Sequence, residues 1–336
     1  MNQATELRHA ARRTPHAARI DVSVCVVNWN CRDHLRACLR SLRSRLQKMR
    51  LEVIVVDNAS TDGAPDMVAR RFPRVRLIRN GDNVGFARAN NQAAEVARGR
   101  YLFFLNNDTI VPPGTLRELL DYAEAHPDAG LIGPALRDGR GRTQVSCRLR
   151  PTVGALLHRT MLLRWTGLFR RAYRACRGRG LDLGRTQPVE VLMGAALMVP
   201  RSVFVECGRW DEGYTFGGED IDLCTRVGRA HRVVYHPEVS VTHFGRVSSR
   251  RHIGFAYANT LIGITRYLGR SGASRPAMWL YKTSVTIDAP LQLFGHACRY
   301  LWRRACGRRD RAAKSLLALR GVGHFLTRGL LAFWRA

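Results

Sequence analysis

Residues 53–63 read VIVVDNASTDG, four aliphatic residues followed by seven small or polar ones. Four apolar residues without alternation are too few for a helix. They are also too continuous for a strand with one wet face, so they read as a strand buried on both sides. The same pattern repeats on either side. SVCVV (23–27) runs into Asn28-Trp29-Asn30, VRLI (75–78) leads to NVGFARANN (83–91), and YLFFL (101–105) ends in Asn106-Asn107-Asp108. Helical stretches are expected between them at 33–46, where leucines fall at 35, 39, 42 and 46, and at 62–71, 84–98 and 113–125. Four strand–helix alternations predict an α/β domain with a mainly parallel sheet flanked by helices. Such sheets bind ligands at the carboxyl ends of their strands. One cluster of Asn, Asp, Ser and Gly is an ordinary turn or cap. Four of them in order along one sheet edge mark a site.

Further along, 134–186 reads as an arginine-rich, partly helical insertion with an apolar stretch at 153–168. VEVLMGAALMV (189–199) is expected to resume the core as one buried strand containing Gly194 and Ala195. GRWDEGY (208–214) precedes Gly218-Glu219-Asp220-Ile221-Asp222, which opens a helix running to about residue 230. Two short strands, 232–236 and 239–243, end at His243.

The chain has 336 residues, with 55 basic and 26 acidic side chains and a formal charge of +29; 52 of the basic residues are arginine. The surplus is not spread evenly. Residues 134–186 carry +11 and residues 246–336 carry +15, while 1–133 carry +6 and 187–245 carry −3. A positive surface attracts anionic partners, and here it lies outside the segments that hold the polar clusters. The nine scattered cysteines form no C-x-x-C pair, which argues against a zinc ribbon or a disulfide framework and for a reducing compartment. Residues 1–20 lack the apolar run of a signal peptide and read as a flexible tail. No membrane span is expected, because the best candidate, 276–298, is interrupted by Lys282, Asp288, Pro290 and His296.

Taken together, VVNWN (26–30), VVDNASTDG (55–63), NVGFARANN (83–91), FFLNNDT (103–109), MGAALMVPRSVF (193–204), DEGY (211–214), GEDIDLCTR (218–226) and VTHFG (241–245) resemble the inverting family 2 glycosyltransferases. The likeness is strongest to their bacterial rhamnosyltransferase-like branch. It covers about residues 20–250 and implies a GT-A fold, with a Rossmann-like sheet over 21–250. Residues 251–336 would then form a basic helical extension associated with membrane or acceptor.

The resemblance implies a nucleoside-diphosphate sugar donor, with dTDP-L-rhamnose favoured and another UDP- or GDP-sugar as the alternative. Base and ribose would lie against Asn28, Asn30 and Asp57. Gly85 would let the backbone approach the nucleotide without a Cβ in the way, and Asn83, Arg88 and Asn90 would support the phosphates or the sugar. Asn106-Asn107-Asp108 stands at the family's D-x-D motif with Asn in the first place. Asn107 and Asp108 would face the diphosphate, and Asp108 with His243 would hold Mg2+ or Mn2+. Asp220, in the family's ED motif, would be the base that takes the acceptor hydroxyl's proton, and no second carboxylate is needed as nucleophile. Gly194, Ala195, Trp210, Asp211, Glu212 and Glu219 would line the acceptor side, with core packing the other reading of Trp210. The acceptor would be a glycan or a polyprenyl-linked sugar of the cell envelope.

The apolar stripe Leu316, Leu319, Val322, Leu326, Leu330 and Phe333, with Lys314, Arg320, Arg328 and Arg335 on another face, suits an anionic membrane surface. Packing on the protein's own core is the alternative. A cytoplasmic protein peripheral to the inner face of the cell membrane is expected. No Q-x-x-R-W motif of a processive synthase occurs, and neither a G-x-G-x-x-G after a strand nor a P-loop is present. The basic residues form no zinc finger or RNP motif, which argues against a specific nucleic-acid partner.

Overall fold

In the computed structural model, which describes residues 20–43, 49–245 and 252–336, the four apolar runs form strands β1 (Val22–Asn28), β2 (Leu51–Asn58), β3 (Arg76–Asn80) and β4 (Tyr101–Asn106). Helices α1 (Arg32–Ser41), α2 (Ala64–Arg71), α3 (Phe86–Val96) and α4 (Thr115–Ala125) alternate with or follow them. The expected tail over 1–20, apart from Ile20, and the end of the 33–46 helix lie outside the described residues. After β5 (Thr109–Ile110), the longer strand β6 (Ala129–Arg137) re-enters the sheet. It runs four residues into the segment read as an insertion, so the basic excursion starts only after the strand.

That excursion contains β7 (Thr143–Gln144), β8 (Cys147–Arg148) and three short helices, α5 (Val153–Leu157), α6 (Met161–Thr166) and α7 (Arg170–Cys176). The chain returns through β9 (Gln187–Pro188), β10 (Val191–Leu192), β11 (Ala196–Pro200), α8 (Arg201–Glu206) and α9 (Glu219–Val227) to β12 (Arg232–His243). Four helical segments close the chain: α10 (Ile253–Arg270), α11 (Arg275–Ala305), α12 (Arg309–His324), continued by a π-helical turn at Phe325–Gly329, and α13 (Leu330–Arg335).

The main sheet has the order β3-β2-β1-β4-β11-β6-β12-β5. Strands β3, β2, β1 and β4 are mutually parallel, β11 is antiparallel to both neighbours, and β12 is parallel to β6. Strand order reverses between β1 and β4, the point where an open parallel sheet leaves a crevice. Register decides what stands at that crevice. Asn28 pairs with Asp57, Val27 with Asn106, and Asn58 with Asn80, so the polar strand tips form one row.

Alternate residues of these strands serve two cores. Val24, Val26, Val55, Phe103 and Leu105 pack with α1, α2 and α4 on one face. Cys25, Ile54, Val56, Leu102 and Phe104 pack on the other face with α3 and the C-terminal helices. That double coverage is why the strands read as continuous apolar runs. Tyr281, Phe325 and Phe333 from the C-terminal helices are at most 2% exposed within this second core. Burial of side chains this size contributes about 1.5–3 kcal/mol each, so the extension is part of the fold.

Three expectations are corrected. The stretch 189–199 is two strands, because the chain changes sheets at Met193-Gly194-Ala195. β10 pairs with β8 in a small separate sheet, while β11 joins β4. The region 232–243 is one strand, with a register shift between His236 and Ser240 around Pro237, which has no N–H to give to the ladder. The stripe on α12 and α13 faces inward. Val322 and Phe333 are buried, and Leu326 and Leu330 pack partly buried against the second core. Residues 309–335 form the one described helical run long and apolar enough to cross a bilayer, where none was expected; its inner face is nevertheless packed on the protein.

Candidate active site

The loop after β2 is built on a buried carboxylate. Asp57, 1% exposed, accepts from Asn28 Nδ2 at 2.8 Å and from the Ser60 backbone N–H at 2.8 Å. The second Asn28 amide atom is used as well, since Asn107 Nδ2 donates to Asn28 Oδ1 at 2.8 Å. Asn30, at φ +50°, accepts from the Thr61 N–H through Oδ1 at 2.8 Å, and its own N–H donates to Ser60 Oγ at 2.9 Å. The tips of β1, β2 and β4 are thereby tied into one polar floor. A similar set continues toward β3. Asn58 Nδ2 donates to Asn83 Oδ1 at 3.1 Å and to the Gly85 carbonyl at 3.2 Å, and Asn80 Nδ2 donates to Asn58 Oδ1 at 2.9 Å.

Above this floor lies a cavity of about 270 Å3. Asn58, Asn83, Gly85, Asn106, Asn107, Asp108 and His243 supply its polar wall. Phe86, Thr215, Phe216, Phe255 and the stacked pair Trp29–His252, with ring centroids 4.1 Å apart, cover it. At the mouth of β4, His243 Nε2 lies 3.4 Å from Asp108 Oδ1 and 3.5 Å from Asn106 Nδ2. Gln144 Nε2 donates to the His243 carbonyl at 2.6 Å, which turns Gln144 Oε1 toward His243 Nδ1 at 3.1 Å. Gln144 thereby holds the ring from its Nδ1 side, with Nε2 turned toward the Asp108 carboxylate.

Asp220 stands in the first turn of α9, beyond the strand break. Its Oδ1 accepts from the Ile221 N–H at 2.9 Å and its Oδ2 from the Gly194 N–H at 3.3 Å. The next residue, Ala195, accepts the Asn106 N–H at 2.9 Å. The break at 193–195 therefore links Asp220 to the tip of β4 through two hydrogen bonds. Asp222, by contrast, is structural: it holds Arg226 Nε at 2.8 Å and receives the Tyr214 hydroxyl at 3.4 Å.

Glu219 is buried, and its Oε2 has no hydrogen-bond partner. Burial, with the Asp220 charge adding to it, pushes its carboxyl up to about 8 from an ordinary value of 4.5. The folded protein therefore holds this proton to higher pH than the unfolded chain does. The stability it contributes is complete below the unfolded value and is lost as pH rises toward the folded one. Glu219→Gln should remove that loss. In denaturant unfolding, the variant should gain on the wild type progressively from about pH 5 to about pH 8. Parallel pH profiles for the two proteins would show that Glu219 is not the titrating group.

Several expected site residues lie elsewhere. Asn28 and Asp57 are part of this hydrogen-bonded floor and do not themselves line the cavity. Asn90 is 1% exposed and donates to the Phe86 carbonyl at 3.1 Å inside its own helix. Arg88 is on the surface, 3.8 Å from Glu212. Gly85 does take a positive φ of +87°, but the group that approaches it is the Thr215 carbonyl, 3.1 Å from where a Cβ would stand. On the acceptor side, Trp210 is 2% exposed and packs edge-on to Phe86 and Phe104, so it is core. Asn91 holds the Trp210 backbone from both sides, at 2.9 and 3.1 Å, and also donates to Glu212. Asp211 is taken by Arg266 and Arg270. Asn58 and Trp29, which sit inside motifs already quoted, and the cover from 215–216 and 252–256 were not anticipated as cavity residues.

Known proteins match this arrangement. The sequence model of glycosyl transferase family 2 matches residues 23–181. The N-acetylglucosaminyl-diphospho-decaprenol L-rhamnosyltransferase of Mycobacterium tuberculosis is 32% identical over 289 residues, 80% of this chain and 92% of that one. The mannosyltransferase PcManGT of Pyrobaculum calidifontis, solved with GDP-Man and Mn2+, superposes with a TM-score of 0.52 at 18% identity, over 98% of this chain and 92% of that one. GalNAc-T7, solved with UDP, GalNAc and Mn2+, gives 0.54 at 15% identity over 74% of this chain and 48% of that one. The two superpositions show that the fold is GT-A, and the long alignment to the mycobacterial enzyme shows the family: the chain is a glycosyltransferase belonging to family 2.

Proposed function

We propose that this enzyme transfers L-rhamnose, with inversion, from dTDP-L-rhamnose to a hydroxyl of a polyprenyl-diphosphate-linked amino sugar in cell-envelope synthesis, working at the cytoplasmic face of the membrane. The observation that carries this reading is the 32% identity to the mycobacterial rhamnosyltransferase across nearly all of that enzyme. The cavity suits the donor side. Its row of asparagines offers neutral donors and acceptors to base, ribose and diphosphate, and Asp57 and Asn28 hold that row from below. Asp220 accepts the acceptor hydroxyl's proton as that oxygen attacks the anomeric carbon, a role that requires an approach of about 2.6–3.2 Å. Its two backbone hydrogen bonds fix the carboxylate without neutralising it.

A divalent cation fits at Asp108 and His243. Asp108 Oδ1 and His243 Nε2, 3.4 Å apart, are a carboxylate oxygen and an imidazole nitrogen, both atom types that ligate such a cation. Among the described residues no third His, Cys, Asp or Glu joins them. Mg2+ and Mn2+ commonly take few protein ligands and complete their shell with substrate phosphate and water. The ion would stabilise the charge that develops on the leaving diphosphate. Asn106 replaces an ionic ligand with a neutral one at this place and keeps His243 in position.

A thermal-shift panel of sugar nucleotides with Mg2+ or Mn2+ tests the reading. A ligand at about 100 times its Kd stabilises a protein by about 2.7 kcal/mol, and dTDP-L-rhamnose should give the largest shift. Chelation should abolish most of that shift and the transfer. A larger shift with a UDP- or GDP-sugar would replace the donor, and chelator-resistant transfer would remove the cation from Asp108 and His243.

A further inference from the structure

We infer that the outer face of α11, together with the tip of the basic excursion, is the surface on which this protein docks to an anionic lipid bilayer, with α11 lying in the plane of the headgroups. The inference deepens the lipid-linked acceptor reading and rests on it for its purpose, while its test is separate.

Helix α11 has 31 residues, about 46 Å. Trp279, Leu280, Ile287, Leu291, Phe294, Leu301 and Trp302 are all exposed, Phe294 to 72%. At about 100° per residue these seven positions fall within an arc of about 140°. Thr283, Pro290 and Cys298 complete the exposed arc, so it carries no charge over about 35 Å. The two charged residues that break the segment's hydropathy point elsewhere. Asp288 is buried and accepts the Met161 N–H at 2.7 Å, and Lys282 Nζ donates to the Trp334 carbonyl at 2.9 Å. The opposite side of the helix, with Tyr281 and Ala289, is packed in the core. A helix held along one side in this way presents its apolar face to an interface and does not cross it.

The Asp288–Met161 bond seats α6 beside this face. There the excursion exposes Leu162, Leu168 and Trp165, the last to 88%. Exposed arginines lie next to these apolar residues in the chain: Arg164, Arg170, Arg171 and Arg174 on the excursion, and Arg304 and Arg308 at the end of α11. An uncharged apolar stripe bordered by arginines is complementary to anionic headgroups over acyl chains, and an exposed apolar patch of this extent is unusual for a free surface. The face also connects to the site. Phe255 and Ala256 of α10 line the cavity, and Tyr257 Oη in the same turn donates to Gln292 Oε1 of α11 at 3.4 Å. The helix proposed to meet the membrane is thus hydrogen-bonded to the helix that lines the cavity.

The experiment is co-sedimentation of the full chain with phosphatidylglycerol vesicles and with phosphatidylcholine vesicles, at low and high salt. The wild type should pellet with the anionic vesicles and lose much of that binding in high salt. The triple variant Ile287→Ser/Phe294→Ser/Leu301→Ser should bind at least tenfold more weakly, and Trp165→Ser alone severalfold more weakly. Tm and the thermal shift with sugar nucleotide should be unchanged in both variants. Wild-type protein left in the supernatant with anionic vesicles would overturn the inference, as would undiminished binding by the triple variant. So would a wild-type dimer that the triple variant converts to monomer without loss of vesicle binding, since the face would then join two copies of the chain. Vesicle binding without any sugar-nucleotide shift would leave the docking surface standing and remove only the donor reading.

Discussion

Asp220→Asn should lower transfer by about 10²–10⁴-fold, the usual worth of a general base, while sugar-nucleotide binding stays at the wild-type level. The substitution keeps the size of the side chain. It also keeps the stronger of its two anchors, because the carboxamide oxygen can still accept the Ile221 N–H at 2.9 Å. Only the longer contact to the Gly194 N–H, at 3.3 Å, meets an amide group that cannot accept. The chemical loss is complete, because a carboxamide does not take a proton at neutral pH. Calorimetric titration with donor, paired with initial rates of transfer, separates the two effects. Unchanged turnover would take Asp220 out of the reaction. A parallel loss of donor affinity would make it a structural residue of the β11–α9 junction.

Gly263→Ala should lower both stability and turnover, although the position is away from the cavity wall. A Cβ at Gly263 would stand 1.8 Å from the Gly217 carbonyl oxygen and 2.9 Å from its carbon, both backbone atoms. Neither partner can yield cheaply. Gly263 is in the middle of α10, and Gly217 and Gly218 form a turn at φ +83° and +99° that only glycine takes up readily. Overpacking of this kind costs about 1–3 kcal/mol, against which the better helix propensity of alanine offsets about 1 kcal/mol. The turn also carries Thr215 and Phe216 to the cavity and opens α9 at Glu219 and Asp220. A Tm lower by about 1–3 °C and a transfer rate at least tenfold lower are expected together. Gly81→Ala, with nothing within 4 Å of its added Cβ, is the control and should change neither. A Gly263→Ala protein with wild-type Tm and rate would mean that α10 does not clamp this turn.

The first half of the fold could be read from the sequence because a doubly covered parallel sheet leaves an unmistakable mark. SVCVV, VIVV and YLFFL have no polar alternation, and their polar tips follow directly. The sheet change at Met193-Gly194-Ala195 left no such mark, since an apolar chain passing from one sheet to another looks like a single strand. Helical spacing showed that α12 has an apolar side, but spacing does not say what covers it; α10 and α11 do. In α11, Lys282 and Asp288 interrupt the apolar run along the chain but lie off the exposed face, a separation that linear hydropathy does not show.

In the site, the motifs led to the sheet edge where the cavity lies but not to which atoms face it. Asp57 and Asn28 carry the pattern's most conspicuous polar groups and spend them on each other and on Ser60. Asn58, one residue on, faces inward to the cavity because side chains alternate along a strand. The cover from Phe216, His252 and Phe255 comes from segments more than 100 residues away from the strand tips, a distance no local pattern bridges. Gly85 was rightly singled out as a place where a Cβ does not fit, but the neighbour is the protein's own Thr215.

The most direct measurement is a crystal structure of the Asp220→Asn variant with an intact nucleoside-diphosphate sugar and Mn2+. The diphosphate and the metal should lie against Asp108 and His243, the nucleotide over the asparagine row, and the anomeric carbon should turn toward residue 220 with room between them for one hydroxyl. A nucleotide bound away from the tips of β1, β2 and β4, or a sugar whose anomeric carbon faces away from residue 220, would contradict the proposed reaction.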